Sequence, residues 1–206
     1  MTIDDARVAR LGVMGGTFDP IHIGHLVAAS EALYAFELDR VTFVPTGQPW
    51  QKRFYSDAED RYLMTVLGAA SNPCFAVSRV ELDRKGPTYT ADTMDVLRSF
   101  HGDGVELFFI VGGDAVLRLG TWHKVERLAA LATVIAVTRP GFALGNLVRE
   151  PSWPELRVLE MPGIDVSSTD VRARVRAGRP IDYVVPADVV RYIRDRGLYT
   201  AGDPDG

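Results

Sequence analysis

Apolar residues in this chain fall into short unbroken runs, separated by longer stretches where apolar and polar positions alternate with helical spacing. The runs 8–14 (VARLGVM), 40–45 (RVTFVP), 106–111 (ELFFIV) and 133–138 (TVIAVT) read as strands buried on both faces. The stretch 75–82 alternates as a further strand would, and 157–161 forms a last short one. Between them the spacing predicts helices over 24–36, 58–70, 90–100, 125–131, 169–177 and 186–196. Residues 46–57 are polar and carry Gly and Pro, so they read as a loop. Strands alternating with helices predict an α/β fold, a doubly wound, mostly parallel sheet with helices on both faces. No repeat or linker interrupts the pattern, so 1–200 reads as one domain, with 201–206 expected to be a disordered tail. In such sheets ligands bind beyond the carboxyl ends of the strands, where strand order reverses. Three polar, glycine- or serine-rich stretches follow predicted strands and should gather there: 15–25, 112–114 and 167–169.

Composition narrows the class. The 206 residues are 47% apolar and 24% charged, an ordinary globular mixture. No apolar run is long enough to span a bilayer, and MTIDDARVAR carries no signal-peptide core. The one cysteine, Cys74, leaves no intramolecular disulfide or cysteine zinc cluster and reads as a packed core thiol. These features favour a reducing cytoplasm. A net charge of −4 argues against broad nucleic-acid binding, yet the arginines of 172–179 allow a local cationic pocket.

The stretch GGTFDPIHIGH, 15–25, carries the most chemistry. Gly15 and Gly16 would let the backbone turn sharply and approach a ligand. The helix that follows offers an N-terminus suited to an anion, with His22 before it and His25 in its first turn. Gly24 between them leaves room for a bulky group, and both imidazoles could donate to one phosphate chain. Taken singly, each histidine reads as a cap or a packed ring; together, in a strand–glycine–helix setting, they point to phosphate. The stretch lacks the GKS or GKT of a Walker loop and the GxGxxG of a dinucleotide site. It also lacks a zinc-ligand spacing. A second cluster, SSTDVR at 167–172, sets Ser and Thr at a helix N-cap with Arg172 one turn along, a second anion cradle.

HIGH after a Gly-Thr-Phe-Asp-Pro turn, with SSTDVR late in the chain, resembles the nucleotidylyltransferase superfamily. GGTFDPIHIGHL, PTGQPWQK (45–52), GPTYTADT (86–93), GGD (112–114), Trp122, RPG (139–141) and YIRDRGLY (192–199) follow in the order seen in bacterial nicotinate-nucleotide adenylyltransferases. The resemblance covers nearly the whole chain. It implies a Rossmann-like fold and transfer of AMP from ATP to nicotinate mononucleotide, with Mg²⁺ held mostly by phosphates and water. It implies small-molecule partners, with no nucleic acid or membrane, and leaves a homo-oligomer open.

By position it implies that His22, His25, Ser168, Thr169 and Arg172 hold the ATP phosphates, with His22, His25 and Arg172 catalytic. Gly15, Thr17 and Phe18 should approach ATP through their backbones, and Gly112 and Asp114 should line the nucleotide pocket. Thr90 and Trp122 should hold the nicotinate end, with Tyr89 beside them, and Arg139 and Lys52 should meet the substrate phosphate and carboxylate. Trp122 offers the flat π-surface a pyridinium ring needs, and the Thr90 region offers donors for its carboxylate. The sequence departs from the family in having Trp50-Gln51 where a loop His is usual, and Gly-Gly before Asp114. A sister transferase acting on nicotinamide mononucleotide or phosphopantetheine, and a non-catalytic nucleotide-binding protein, remain as alternatives.

Overall fold

The computed structural model describes residues 8–47, 56–141 and 150–200. Its spine is a six-stranded sheet, and every pairing in it is parallel. The strands are β1 (Arg10–Gly16), β2 (Arg40–Pro45), β3 (Phe75–Val77), β4 (Glu106–Gly112), β5 (Ala132–Thr138) and β6 (Leu156–Glu160). Their spatial order is β3-β2-β1-β4-β5-β6. The chain therefore winds outward from β1 in one direction, returns through a helix to β4 on its other side, and winds outward again. The reversal opens a crevice between the carboxyl ends of β1 and β4, where the predicted motifs converge.

The connecting helices are α1 (Ile23–Ala35), α2 (Ala58–Ala69), α3 (Thr90–His101), α4 (Gly113–Val116), α5 (Val125–Leu131), α6 (Ser168–Arg176) and α7 (Ala187–Arg196). The unbroken runs are buried on both faces because neighbouring side chains point opposite ways. In β4, Phe108 and Ile110 join a core with Ala28 and Ala32 of α1, Met64 of α2 and Val189 of α7. Leu107 and Phe109 face the other way, onto Met94 and Leu97 of α3 and Leu128 of α5.

Two expectations change, and two short elements are added. The third strand stops at Val77 rather than running to residue 82. It lies at the sheet edge, and after the Ser78 N–H bonds to Phe43 O at 2.9 Å the chain turns away, carrying Glu81 towards the crevice. Between β4 and α5, where the sequence pattern assigned no element, the chain forms α4 followed by a 3₁₀ turn at Leu119–Thr121. These pieces are too short to show a period in sequence. Cys74 is half-buried rather than a core thiol. Among the described residues no helix is long and apolar enough to cross a membrane.

Candidate active site

The turn after β1 is built differently from the expectation. Neither Gly15 nor Gly16 has a left-handed backbone; the reversal is made by Phe18 at φ 49°, followed by a cis Asp19-Pro20 bond. Gly16 is needed for space, since a Cβ there would come 2.9 Å from the Phe18 ring. That ring is buried, packing edge-on against Phe43 at 5.7 Å and His25 at 5.1 Å. The residue as a whole is 1% exposed, so the expected approach of its backbone to a ligand is not seen in this geometry.

His22 is the N-cap of α1, and its N–H donates to His25 Nδ1 at 3.2 Å. The two imidazoles stack at 3.7 Å and 28°. Gly24 makes room for His22 itself, because a Cβ there would lie 3.1 Å from that ring. His22 is only 7% exposed, and among the described residues its Nδ1 is buried without a hydrogen-bond partner. Burial first, and the Arg139 cation second, lower its pKa to about 4, against a weaker pull from Asp170. At neutral pH His22 is therefore an uncharged donor rather than a cation. One helix-end donor is already used, the Ile23 N–H bonding to Val184 O at 3.0 Å.

The second motif closes on this turn from 148 residues away. Ser167 caps α6, its Oγ accepting from the Asp170 N–H at 3.1 Å. Ser168 Oγ donates to Pro20 O at 2.9 Å, and Arg172 Nη1 donates to Asp19 O at 2.7 Å. Arg172 also reaches Thr169 Oγ1 at 3.2 Å. The predicted cradle thus grips the carbonyls of the first turn and locks the two motifs together. Arg139 follows β5, pairs with Asp165 at 2.7 Å and projects its charge onto His22. Gly112 ends β4, and Asp114 in the first turn of α4 lies so close that a Cβ on Gly112 would be 2.8 Å from its Oδ1.

Beside this junction lies a cavity of about 230 Å³. Its walls include Val13, Gly15 and Gly16 of β1 with Thr17 just after it, Val44 of β2 with Thr46 just after it, Phe109 and Val111 from β4, and Thr90 with Trp122. Gly15, Thr17, Thr90 and Trp122, assigned separately from sequence, thus share one space. Trp122 stands edge-on to Phe109 at 5.7 Å, leaving an aromatic wall. A space this size suits one planar ring rather than a dinucleotide. Tyr89 does not line it; the N-cap of α3, it lies against His123 at 4.1 Å. Lys52, like Trp50 and Gln51, lies outside the described residues.

The sequence reading missed Thr46, Glu81, Thr88, Thr93 and Phe109 in this wall. Glu81 is buried and accepts from Thr93 Oγ1 at 2.7 Å. Gly47 passes so close that a Cβ would fall 2.2 Å from the Glu81 carbonyl oxygen. Only the three-residue spacing of Thr90 and Thr93 on one helix was available as a signal.

Comparison with known proteins agrees with this architecture. The cytidylyltransferase-like family model matches residues 13–174. A protein of Corynebacterium kroppenstedtii named "Probable nicotinate-nucleotide adenylyltransferase" is 56% identical over 192 residues, 92% of this chain and 90% of its own. One of the same name from Saccharopolyspora erythraea is 54% identical over 200 residues, 96% of this chain and 93% of its own. The fold is that of Plasmodium falciparum nicotinic acid mononucleotide adenylyltransferase complexed with NaAD. The TM-score is 0.77 at 18% identity, covering 92% of this chain and 97% of that one. Its complex with APC gives a TM-score of 0.74 at 16% identity, over 93% and 97%. A match from β1 into α6, with relatives alike along nearly their whole length, places the chain in the cytidylyltransferase-like family, among the nicotinate-nucleotide adenylyltransferases.

Proposed function

We infer that this chain, an adenylyltransferase by family, transfers AMP from ATP to nicotinate mononucleotide, releasing nicotinate adenine dinucleotide and pyrophosphate in NAD biosynthesis. The observation that carries the reading is the joining of the two phosphate motifs, through Arg172 and Ser168, beside a cavity walled by Trp122 and Thr90. The acceptor phosphate attacks the α-phosphorus in line, and pyrophosphate leaves with the electron pair of the broken bond. The nucleophile is already an anion, so no general base is required. Catalysis rests on positioning and on donors aimed at the charge that develops.

His22 and His25 donate to the phosphates as paired imidazoles. Arg172 carries five N–H donors and can hold the turn and a phosphate oxygen together. Ser168 and Thr169 add hydroxyls, Gly112 and Asp114 border the nucleotide, and Arg139 meets the substrate phosphate. Among the described residues no group of three or more His, Cys, Asp or Glu is arranged to hold a metal ion. Mg²⁺ carried in with the substrate phosphates would neutralise charge on the leaving group, with His22, His25 and Arg172 supplying the protein's own donors. The pyridinium ring stacks on Trp122, and its carboxylate takes donors near Thr90. The partners are small molecules, the setting is the cytoplasm, and residues 1–200 act as one domain.

Pyrophosphate release tests this, with ATP and Mg²⁺ and with nicotinate mononucleotide, nicotinamide mononucleotide or phosphopantetheine supplied separately. Release with the nicotinate substrate alone is expected. Release with another acceptor keeps the chemistry and discards the assignment of Trp122 and Thr90. ATP binding without release under any acceptor overturns the catalytic reading.

A further inference from the structure

Behind the phosphate-binding turn lies a cluster of buried polar side chains that the reaction does not itself employ. Asp19, Ser56, Arg61 and Tyr199 are at most 9% exposed, and they come from the turn after β1, the approach to α2, α2 itself and the chain beyond α7. Ser56 Oγ and Tyr199 Oη both donate to Asp19 Oδ1, at 2.5 and 2.6 Å. Arg61 Nη1 donates to two carbonyls at once, Thr17 O at 3.0 Å and Thr46 O at 2.8 Å. Those threonines line the cavity from the residues just after β1 and β2. The same turn is held from its other side by Arg172 on Asp19 O.

A second, independent observation points the same way. Two aromatic residues of this region have left-handed backbones, Phe18 at φ 49° and Tyr199 at φ 62°. Non-glycine residues stay in that region only where their surroundings over-determine them. Tyr199 is 1% exposed, and its hydroxyl is aimed at Asp19. Burying a carboxylate and a guanidinium is unfavourable compared with apolar packing, so a stability role alone accounts poorly for the arrangement.

We propose that Asp19, Ser56, Arg61 and Tyr199 are positioning residues for adenylyl transfer: a buried brace that fixes the turn bearing His22 against Thr46, the residue after β2. The proposal rests on the adenylyltransfer reading. The brace acts through Thr17, Thr46 and the 19–22 turn and touches no reacting atom. Its contribution is therefore alignment in the transition state rather than affinity for ATP.

The test is Tyr199→Phe, which removes one hydroxyl and keeps the ring, beside Ser56→Ala and the exposed control Tyr34→Phe. Steady-state kinetics with ATP and nicotinate mononucleotide are read together with the His22 and His25 imidazole NMR signals and the melting temperature. Expected for Tyr199→Phe is a kcat about tenfold lower or more, with the KM for ATP within about threefold and both imidazole signals displaced. Tyr34→Phe should change neither. Should Tyr199→Phe fail to fold, Ser56→Ala carries the same readouts. Unmoved imidazole signals, or an unchanged kcat per folded molecule, overturn the brace. If the wild-type protein turns over no acceptor, the adenylyltransfer reading falls and the imidazole signals alone decide the brace.

Discussion

Burial and the nearby Arg139 cation lower the His22 pKa to about 4, so the folded protein holds this imidazole neutral at a pH where the unfolded chain protonates it. The unfolded state then binds more protons, and stability must fall as pH falls. The contribution is complete above about pH 6.5 and is lost progressively towards pH 4, amounting to roughly 3 kcal/mol. Denaturant unfolding at pH 7, 5.5 and 4 should show this slope in the wild type and a shallower one in His22→Asn. A bound phosphate chain favours the protonated ring, so ATP binding near pH 5.5 should take up a proton, measurable as a buffer-dependent heat. His22→Ala and His25→Ala should lower kcat by about 100-fold or more while leaving the fold intact at neutral pH. Wild-type turnover in either would remove that ring from the mechanism. The two histidines were legible because their spacing sits in a strand–glycine–helix setting. Asp19 and Arg61 were not, since one charged residue in a turn or on a helix looks solvated until the fold shows it buried.

Most strands and helices were legible to within two residues because both signals are strong: unbroken apolar runs and helical spacing between them. What failed was short or context-dependent. β3 ends early because an edge strand lasts only as long as its neighbour pairs with it. α4 and the 3₁₀ turn before Trp122 are too brief for any periodicity. The 3₁₀ turn nevertheless brings Trp122 to the cavity wall, and Trp122→Ala tests the proposed acceptor site. It should raise the KM for nicotinate mononucleotide about tenfold through the lost aromatic surface, with the KM for ATP nearly unchanged. An equal rise for both substrates would place the indole elsewhere in the reaction. Gly47→Ala tests the other wall. Its Cβ would press into the Glu81 backbone, so the fold should lose about 2 kcal/mol or more, read as a lower denaturation midpoint.

Across the whole molecule, strand order β3-β2-β1-β4-β5-β6 puts the crevice between the first strand and the fourth. The alternation of elements implied such a crevice, and the motif positions implied what faces it. The bonds across it were beyond reach of the sequence. Nothing in SSTDVR says that its serine and arginine bind carbonyls of the opening turn rather than solvent. ATP should raise the melting temperature of the wild-type protein. Arg172→Ala should lose most of that gain along with its bond to Asp19, while a full shift retained in the variant would detach Arg172 from nucleotide binding.

Those long-range bonds also bear on how the chain is made. The opening turn is synthesised well before its partners Ser168, Arg172, Val184 and Tyr199, which bond to it across separations of 148 to 180 residues. A nascent chain therefore carries this turn through the synthesis of at least 148 further residues before these partners exist. A chain terminated ahead of Ser168 would lack every one of these bonds to the opening turn.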